Sequence, residues 1–260
     1  MSAAGPTAKA KKLRSWHSLL IPAVLAFAAL IALGTWQVER KAWKEGLIAT
    51  LTERLAAPPI PLPPPAAWPA LDPAGNEYRR VTFKAEFETA DEAPVLATGA
   101  AFRPDVTGPG YWIFSPARLA DGSVVVVNRG FIPLADAKTL PHRANTGTVA
   151  IMGVMRWPEA PHWFTPKANP AQNMWFVRDP VAIAAAKGWG PVSPFYVEQE
   201  SPMPPGGWPR PGRLVPNLPN NHLQYAVTWY GLALVLVVVF VVWAVKIARE
   251  RRNQGIASPK

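Results

Sequence analysis

Two stretches of the chain lack the alternation of polar and apolar positions that a water-facing element shows. One runs from Leu19 to Gly34, the other from Leu223 to Ile247, and the second carries no charge between Leu223 and Val245. A helix needs about 20 mainly apolar residues to cross the roughly 30 Å hydrocarbon layer of a bilayer. Both blocks are therefore expected to span a membrane. Aromatic residues bracket each one, Trp16 and Trp36 the first, Tyr225 and Trp243 the second, as interfacial rings do. The first block also has the basic start of a signal peptide. No small-x-small cleavage site follows it, since the next residues are Thr35, Trp36 and Gln37, so it reads as a retained span.

Between the blocks the period changes to two. In YRRVTFKAEFET, Val81, Phe83, Ala85 and Phe87 share one face, while Arg80, Thr82, Lys84, Glu86 and Glu88 share the other. That is the pattern of a half-buried strand. Asp121-Gly122 predicts a hairpin turn, and Val124 to Val127 is a β-branched run suited to a strand covered on both faces. TVAIMGVMRW, MWFVRD and FYVEQE predict further strands. DPVAIAAAKGWG predicts a short helix, with Asp179 as N-cap, Pro180 in the first turn and Gly188 in the left-handed C-terminal position. Trp43 to Leu55 extends the first span as a helix, with Leu47, Leu51 and Leu55 at four-residue steps. It runs into AAPPIPLPPPAAWPALDP, whose proline density predicts an extended, semi-rigid connector.

The expected fold class is α+β: two transmembrane helices flanking an extracytoplasmic, mainly antiparallel, barrel-like β domain with one or two short helices. The boundaries are a basic tail at 1–15, spans at 16–38 and 222–246, and a helical extension and connector at 39–73. The β-rich domain follows at 74–205, a linker at 206–221 and a second basic tail at 247–260.

Charge orients this arrangement. The chain carries +10, but the segment before the first span holds +4, the segment from Lys246 onward another +4, and Glu39 to Asn221 only +2. Basic flanks stay cytoplasmic, so both termini are expected inside and the β domain outside. The basic excess thus reflects membrane insertion, and no basic-aromatic stripe points to nucleic acid. With no cysteine there is no disulfide framework or thiolate metal site. A short Lys-rich start favours a bacterial cytoplasmic (inner) membrane over an organelle. No G-x-S-x-G, H-E-x-x-H, P-loop or dinucleotide fingerprint occurs. The chain is therefore not expected to be an enzyme; a membrane-tethered enzyme would rest only on the size of the outer domain.

Four segments carry a family resemblance: LGTWQVERKAWKEGLI at the end of the first span, VVVNRGFIP mid-domain, FTPKANPAQNMWFVRDP after it, and NNHLQYAVTWYGLALVL opening the last span. In this order and between two spans, they resemble the surfeit-locus protein one family of cytochrome c oxidase assembly factors, over about Gly34 to Trp243. The resemblance implies a role in assembling subunit I of a haem–copper (aa3-type) oxidase. For bacterial members it implies transient binding of haem a and its transfer from the haem a synthase into subunit I. The implied partners are subunit I, haem a synthase and membrane lipid.

The residues themselves offer one place for such a ligand. His222 stands at the mouth of the second span, Ala226 one turn on, and Trp229 seven residues on, within about 20° of the same helical face. Imidazole is a common axial donor to haem iron, so His222 is the candidate iron ligand, with Trp229 and Tyr225 as a flat wall. The alternative is that all three are ordinary interfacial residues. Trp36, Arg40 and Trp43 share a face at the exit of the first span. Arg40, beside Trp36, is a candidate partner for a haem propionate, or a cation snorkelling above the membrane. Gly34, Gly231 and the Ala28/Ala32 pair suggest close packing of the two spans, which would bring Trp36 and Arg40 near His222. Arg129-Gly130 reads as a turn glycine beside an arginine paired inside the domain. Asn173, Trp175 and Arg178 read as structural, as do the isolated His17, His142 and His162. A protein that clamps a subunit I intermediate without holding haem is the competing function.

Overall fold

The computed structural model describes residues 17–88, 91–99, 102–137 and 147–256. Trp16, His142, the tail at 1–15 and the last four residues of the other tail lie outside the described residues. The elements in chain order are α1 (His17–Ala56), β1 (Ile60–Pro61), α2 (Pro73–Asn76), β2 (Arg80–Phe87), β3 (Ala93–Ala97), β4 (Gly110–Arg118), β5 (Val124–Pro133), β6 (Thr148–Arg156), α3 (Pro180–Lys187), β7 (Val192–Ser201) and α4 (His222–Ile256). The chain divides within α1 into two compact units: one ends at Gly46 and resumes at Pro219, the other is Leu47–Leu218.

The first unit is a pair of antiparallel helices. Leu19–Ala56 and His222–Glu250 are long and apolar enough to cross a membrane, and only 6% of the most apolar window of each is buried. So large an apolar surface facing outward is what lipid covers, and this is a membrane protein. The residues turned inward recur at alternating steps of three and four. On α1 they include Leu30, Gly34, Gln37, Lys41 and Lys44; on α4 they include His222, Ala226, Trp229, Ala233, Leu236, Phe240 and Trp243. A repeat averaging 3.5 residues keeps one seam facing a partner helix.

Close approach falls where the seam residues are small. Ala226 and Ala233 are almost fully buried, and Gly34 faces the ring of Tyr230, whose phenol is 3.1 Å from the Thr35 hydroxyl. The small residues expected to make this contact were partly different: Ala28, Ala32 and Gly231 are all exposed. A Cβ at Gly34 would lie 2.7 Å from Tyr230 Cε1. Gly34→Ala is expected to weaken the pair by about 1–3 kcal/mol, read by thermal unfolding in detergent. Combining it with Tyr230→Ala should give a smaller loss than the two single losses added together; strict additivity would rule out the contact.

The second unit is a closed sheet. Strands β2, β6, β7, β5 and β4 follow one another, and β2 returns to pair with β4 through Glu86↔Arg118 and Phe87↔Ala117. β1 adds to β2 and β3 to β4 as flanking strands. The β1–β2 and β5–β7 pairs are parallel and the others antiparallel. β7 lies between β5 and β6 in space, so the long connection from β6 to β7 has room for α3 on the outer face.

Alternation sorts the side chains. Val125, Val127, Phe195 and Val197 point into the barrel with Val81 and Ile151, while Val126 and Tyr196 point outward, beneath a layer that includes Trp112, Phe131, Ile183 and Trp189. The Val124–Val127 run is therefore buried on both faces, as its composition predicts. The Asp121-Gly122 turn and the α3 caps also form as expected. Asp121 Oδ1 accepts from Ser123 N at 2.9 Å, Asp179 Oδ1 accepts from Val181 N and Ala182 N at 3.0 Å, and Gly188 is left-handed.

Three segments differ from the sequence expectation. The proline-rich stretch is extended only as far as Pro64, then coils into a short 3-10 helix over Pro65–Ala70, and it is part of the domain rather than a spacer. Ile60 and Pro61 pair with Val81 and Thr82, and Trp68 packs edge-on against Phe195 at 5.8 Å while donating Nε1 to Pro63 O at 2.9 Å. Proline tolerates an edge strand because its missing N–H faces outward there. The 206–221 segment is likewise tied to the domain as far as Val215: Arg210 exchanges two backbone hydrogen bonds with Phe131 (3.1 and 2.9 Å), and Val215 N donates to Phe102 O at 2.8 Å. MWFVRD forms no strand; it touches the edge of β3 through one bridge, Val95↔Trp175, where Leu96 N donates to Trp175 O at 2.8 Å.

Candidate functional site

His222 is the first residue of α4 and lies on the seam, half-buried. Its Nδ1 is 2.7 Å from Oε1 of Gln37 on α1. With Oε1 as the acceptor, Nδ1 carries the hydrogen, and in the neutral form of the ring Nε2 keeps its lone pair. Gln37 reaches this position because it is the seam residue one turn after Gly34, which packs against the Tyr230 ring. Two turns further, Lys44 Nζ donates to the carbonyl of Pro219. The hydrogen bond across the pair thus sits at its mouth, between a helix start and a continuous helix.

The candidates read from sequence are distributed unevenly about this point. Trp229 shares the seam with His222, separated by the buried Ala226. The small gap at Ala226 is closed by helix packing. Tyr225 lies off the seam and is 55% exposed. Trp36, Arg40 and Trp43 do share one face, with the Arg40 guanidinium 3.9 Å from the Trp43 ring centroid. Each stands one residue before, or one before a turn of, the seam positions, about 100° round α1. Their face is exposed, and Gln37, not Trp36 or Arg40, is the α1 residue that meets the histidine. Gln37 was not singled out in the sequence. Its mark is the three-four burial repeat of the two helices, which hydropathy along the sequence does not carry.

The β domain holds a second polar cluster that sequence reading did not find. Arg156 is 5% exposed and Glu198 2%. Arg156 Nε meets Glu77 Oε1 at 3.2 Å and its Nη1 lies 3.6 Å from Glu198 Oε2, while its guanidinium stacks 4.6 Å from the Tyr78 ring. Arg178 pairs with Glu159 and lies 3.9 Å from Glu198. Burial opposes the charge on both arginines, but Tyr196 and the carboxylates around them hold both above the ordinary arginine value. Burial also pushes the Tyr196 hydroxyl up to about 12, against the opposing pull of Arg178 and Arg156. Each charge here lies within 4 Å of an opposite one, although Arg156 Nη1, Glu198 Oε2 and the Tyr196 hydroxyl make no hydrogen bond among the described residues; the cluster is an internal network of three carboxylates and two guanidiniums.

The remaining candidates are structural. Arg129 is buried against Glu92, as expected for an arginine paired inside the domain. Gly130, however, is not in a turn: it lies within β5 at φ +131°. Asn173 Nδ2 donates to Glu92 O at 3.0 Å and its Oδ1 accepts from Trp175 Nε1 at 2.9 Å. His162 stacks on Phe164, with ring centroids 5.6 Å apart. Among the described residues no group of three or more His, Cys, Asp or Glu side chains is placed to hold a metal ion.

Comparison with known proteins agrees with this layout. A sequence model of the SURF1 family matches residues 24–234, from the first apolar helix through the barrel into the second. Surfeit locus protein 1 of Rattus norvegicus is 35% identical over 229 residues, covering 84% of this chain and 71% of the rat protein. A SURF1-like protein of Monosiga brevicollis is 35% identical over 236 residues, 87% of this chain and 85% of its own. Surfeit locus protein 1 of Homo sapiens is 35% identical over 231 residues, 84% and 73%. With the whole barrel and part of each apolar helix inside the matched region, the chain belongs to the SURF1 family.

Proposed function

We propose that this protein is a membrane-anchored assembly factor for an aa3-type haem–copper cytochrome c oxidase, which binds haem a transiently and assists its insertion into subunit I. Family membership supports the assembly role. The observation that carries the haem reading is His222, whose Nδ1 is tied to Gln37 and whose Nε2 lone pair is thereby left for a metal. The donor set fits haem: one neutral imidazole among aromatic and aliphatic side chains, with no competing cluster of ligands among the described residues. Iron held by one protein nitrogen supplies a labile bond, which suits a carrier that must release its cargo.

His222 would hold the iron, with Trp229 and Tyr225 as apolar wall. Arg40 beside Trp36 would serve the propionates if the ligand reaches round α1 to their exposed face. The partners are subunit I, the haem a synthase that supplies the pigment, and the surrounding lipid. The charge distribution supports a barrel outside a bacterial inner membrane with both termini cytoplasmic.

Purified from cells that make haem a, the wild-type protein is expected to show Soret and α bands, and His222→Ala to lose most of that absorbance. Equal haem content in the two proteins would remove His222 from the mechanism. The seam favours one competing reading, because helix packing alone accounts for the burial around His222 and Trp229. On that reading the protein is a haem-free clamp on a subunit I intermediate, and undiminished oxidase assembly with a haem-free protein would support it.

A further inference from the structure

We infer that Gln37 is the positioning residue of the histidine ligand: its amide carbonyl fixes the tautomer that frees Nε2 and, being a neutral acceptor, keeps the bond to iron weak enough to be given up. This rests on the haem reading above.

The first half follows from the 2.7 Å contact between His222 Nδ1 and Gln37 Oε1. A histidine with no partner on Nδ1 chiefly carries its hydrogen on Nε2, where it blocks ligation. An acceptor facing Nδ1 reverses that preference and fixes the ring plane as well. Gln37 and His222 lie on different helices, so this orientation exists only when α1 and α4 are paired.

The second half follows from what does not face the imidazole. A carboxylate on Nδ1–H draws the proton toward itself, making the ring a stronger donor and its metal bond tighter. Of the two acids on α1 near Gln37, Glu39 is exposed and off the seam, and Glu45, also off the seam, is engaged by Lys41 Nζ at 2.6 Å. Lys41 and Lys44 are the charged groups on the seam beyond Gln37, and Lys44 is turned to the Pro219 carbonyl. On α4 itself no charged side chain follows until Lys246. The amide is thus the strongest acceptor offered to His222, which suits a ligand that hands its metal on.

The test uses the full chain in nanodiscs, first free of haem and then titrated with ferrous haem a. In the haem-free protein, ¹⁵N NMR of the imidazoles, with His222 assigned by its loss in His222→Ala, is expected to show hydrogen on Nδ1. Gln37→Leu should move it to Nε2 and lower haem a affinity about 10- to 100-fold. Gln37→Glu, which keeps the shape and an acceptor oxygen, should keep the Nδ1–H tautomer. It should also raise the iron–histidine stretching frequency in the resonance Raman spectrum and slow haem release. The inference is overturned if wild-type His222 carries its hydrogen on Nε2, or if Gln37→Leu changes neither tautomer nor affinity. A Gln37→Glu protein with an unshifted stretch and unchanged release rate overturns the weak-bond half. Failure of the haem reading is distinguishable: wild type and His222→Ala would then take up haem a equally, whatever the tautomer.

Discussion

Gly130→Ala is expected to prevent the β domain from folding, a loss of more than about 4 kcal/mol. Gly130 sits in β5 at φ +131°, a region closed to side chains with a Cβ. The space is closed too. A Cβ there would lie 2.3 Å from the carbonyl carbon and oxygen of Arg210 and 2.5 Å from Pro211 N. Those atoms cannot retreat, because Arg210 and Phe131 exchange backbone hydrogen bonds of 3.1 and 2.9 Å directly beside the glycine. Gly122 is the matched control. It is also left-handed, at φ +85°, but no atom lies within 4 Å of its would-be Cβ. Gly122→Ala should therefore cost about 1–2 kcal/mol. Urea unfolding of the full chain in detergent separates the two; equal midpoints for both variants would show that the crossing chain is not the constraint.

Arg156→Ala is expected to destabilise the protein by about 3–5 kcal/mol. The guanidinium holds Glu77 and Glu198 at 3.2 and 3.6 Å and covers the Tyr78 ring. Without it Glu198, 2% exposed, keeps only the more distant Arg178 at 3.9 Å. The penalty comes mainly from the carboxylate stranded in the interior. Arg156→Met combined with Glu198→Gln should therefore recover part of the loss, since it removes both charges while keeping bulk. Arg156→Lys should fall between, because an ammonium cannot reproduce the planar stack and fork. An Arg156→Ala midpoint within about 1 kcal/mol of wild type would mean the network contributes little net stability.

How much of this was legible depends on where each partner lies in the chain. The alternation of β2, the buried valine run of β5 and the caps of α3 are readable because their causes are local: period, branching and a carboxylate over the first turn. Gly130 is visible in the sequence as part of RGFIP, but its cause is a backbone crossing eighty residues later. The same applies to Trp68, whose neighbouring prolines suggest a spacer until Phe195 is seen beneath it. Arg156 and Glu198 look like surface charges in any single strand, and nothing in the sequence names a partner for Arg178; only the β6–β7 pairing and the connection between those strands bring the three together.

The helix pair shows the division most clearly. Sequence alone determined that there are two apolar helices, that a β-rich domain lies between them, and that a histidine stands at the threshold of the second. It could not say which side of either helix is covered, because lipid and a partner helix are equally apolar and leave the same hydropathy trace. Tertiary structure decided that: Gly34, Ala226 and Ala233 mark the seam by size rather than polarity, and the seam brings Gln37, rather than Trp36 or Arg40, to His222.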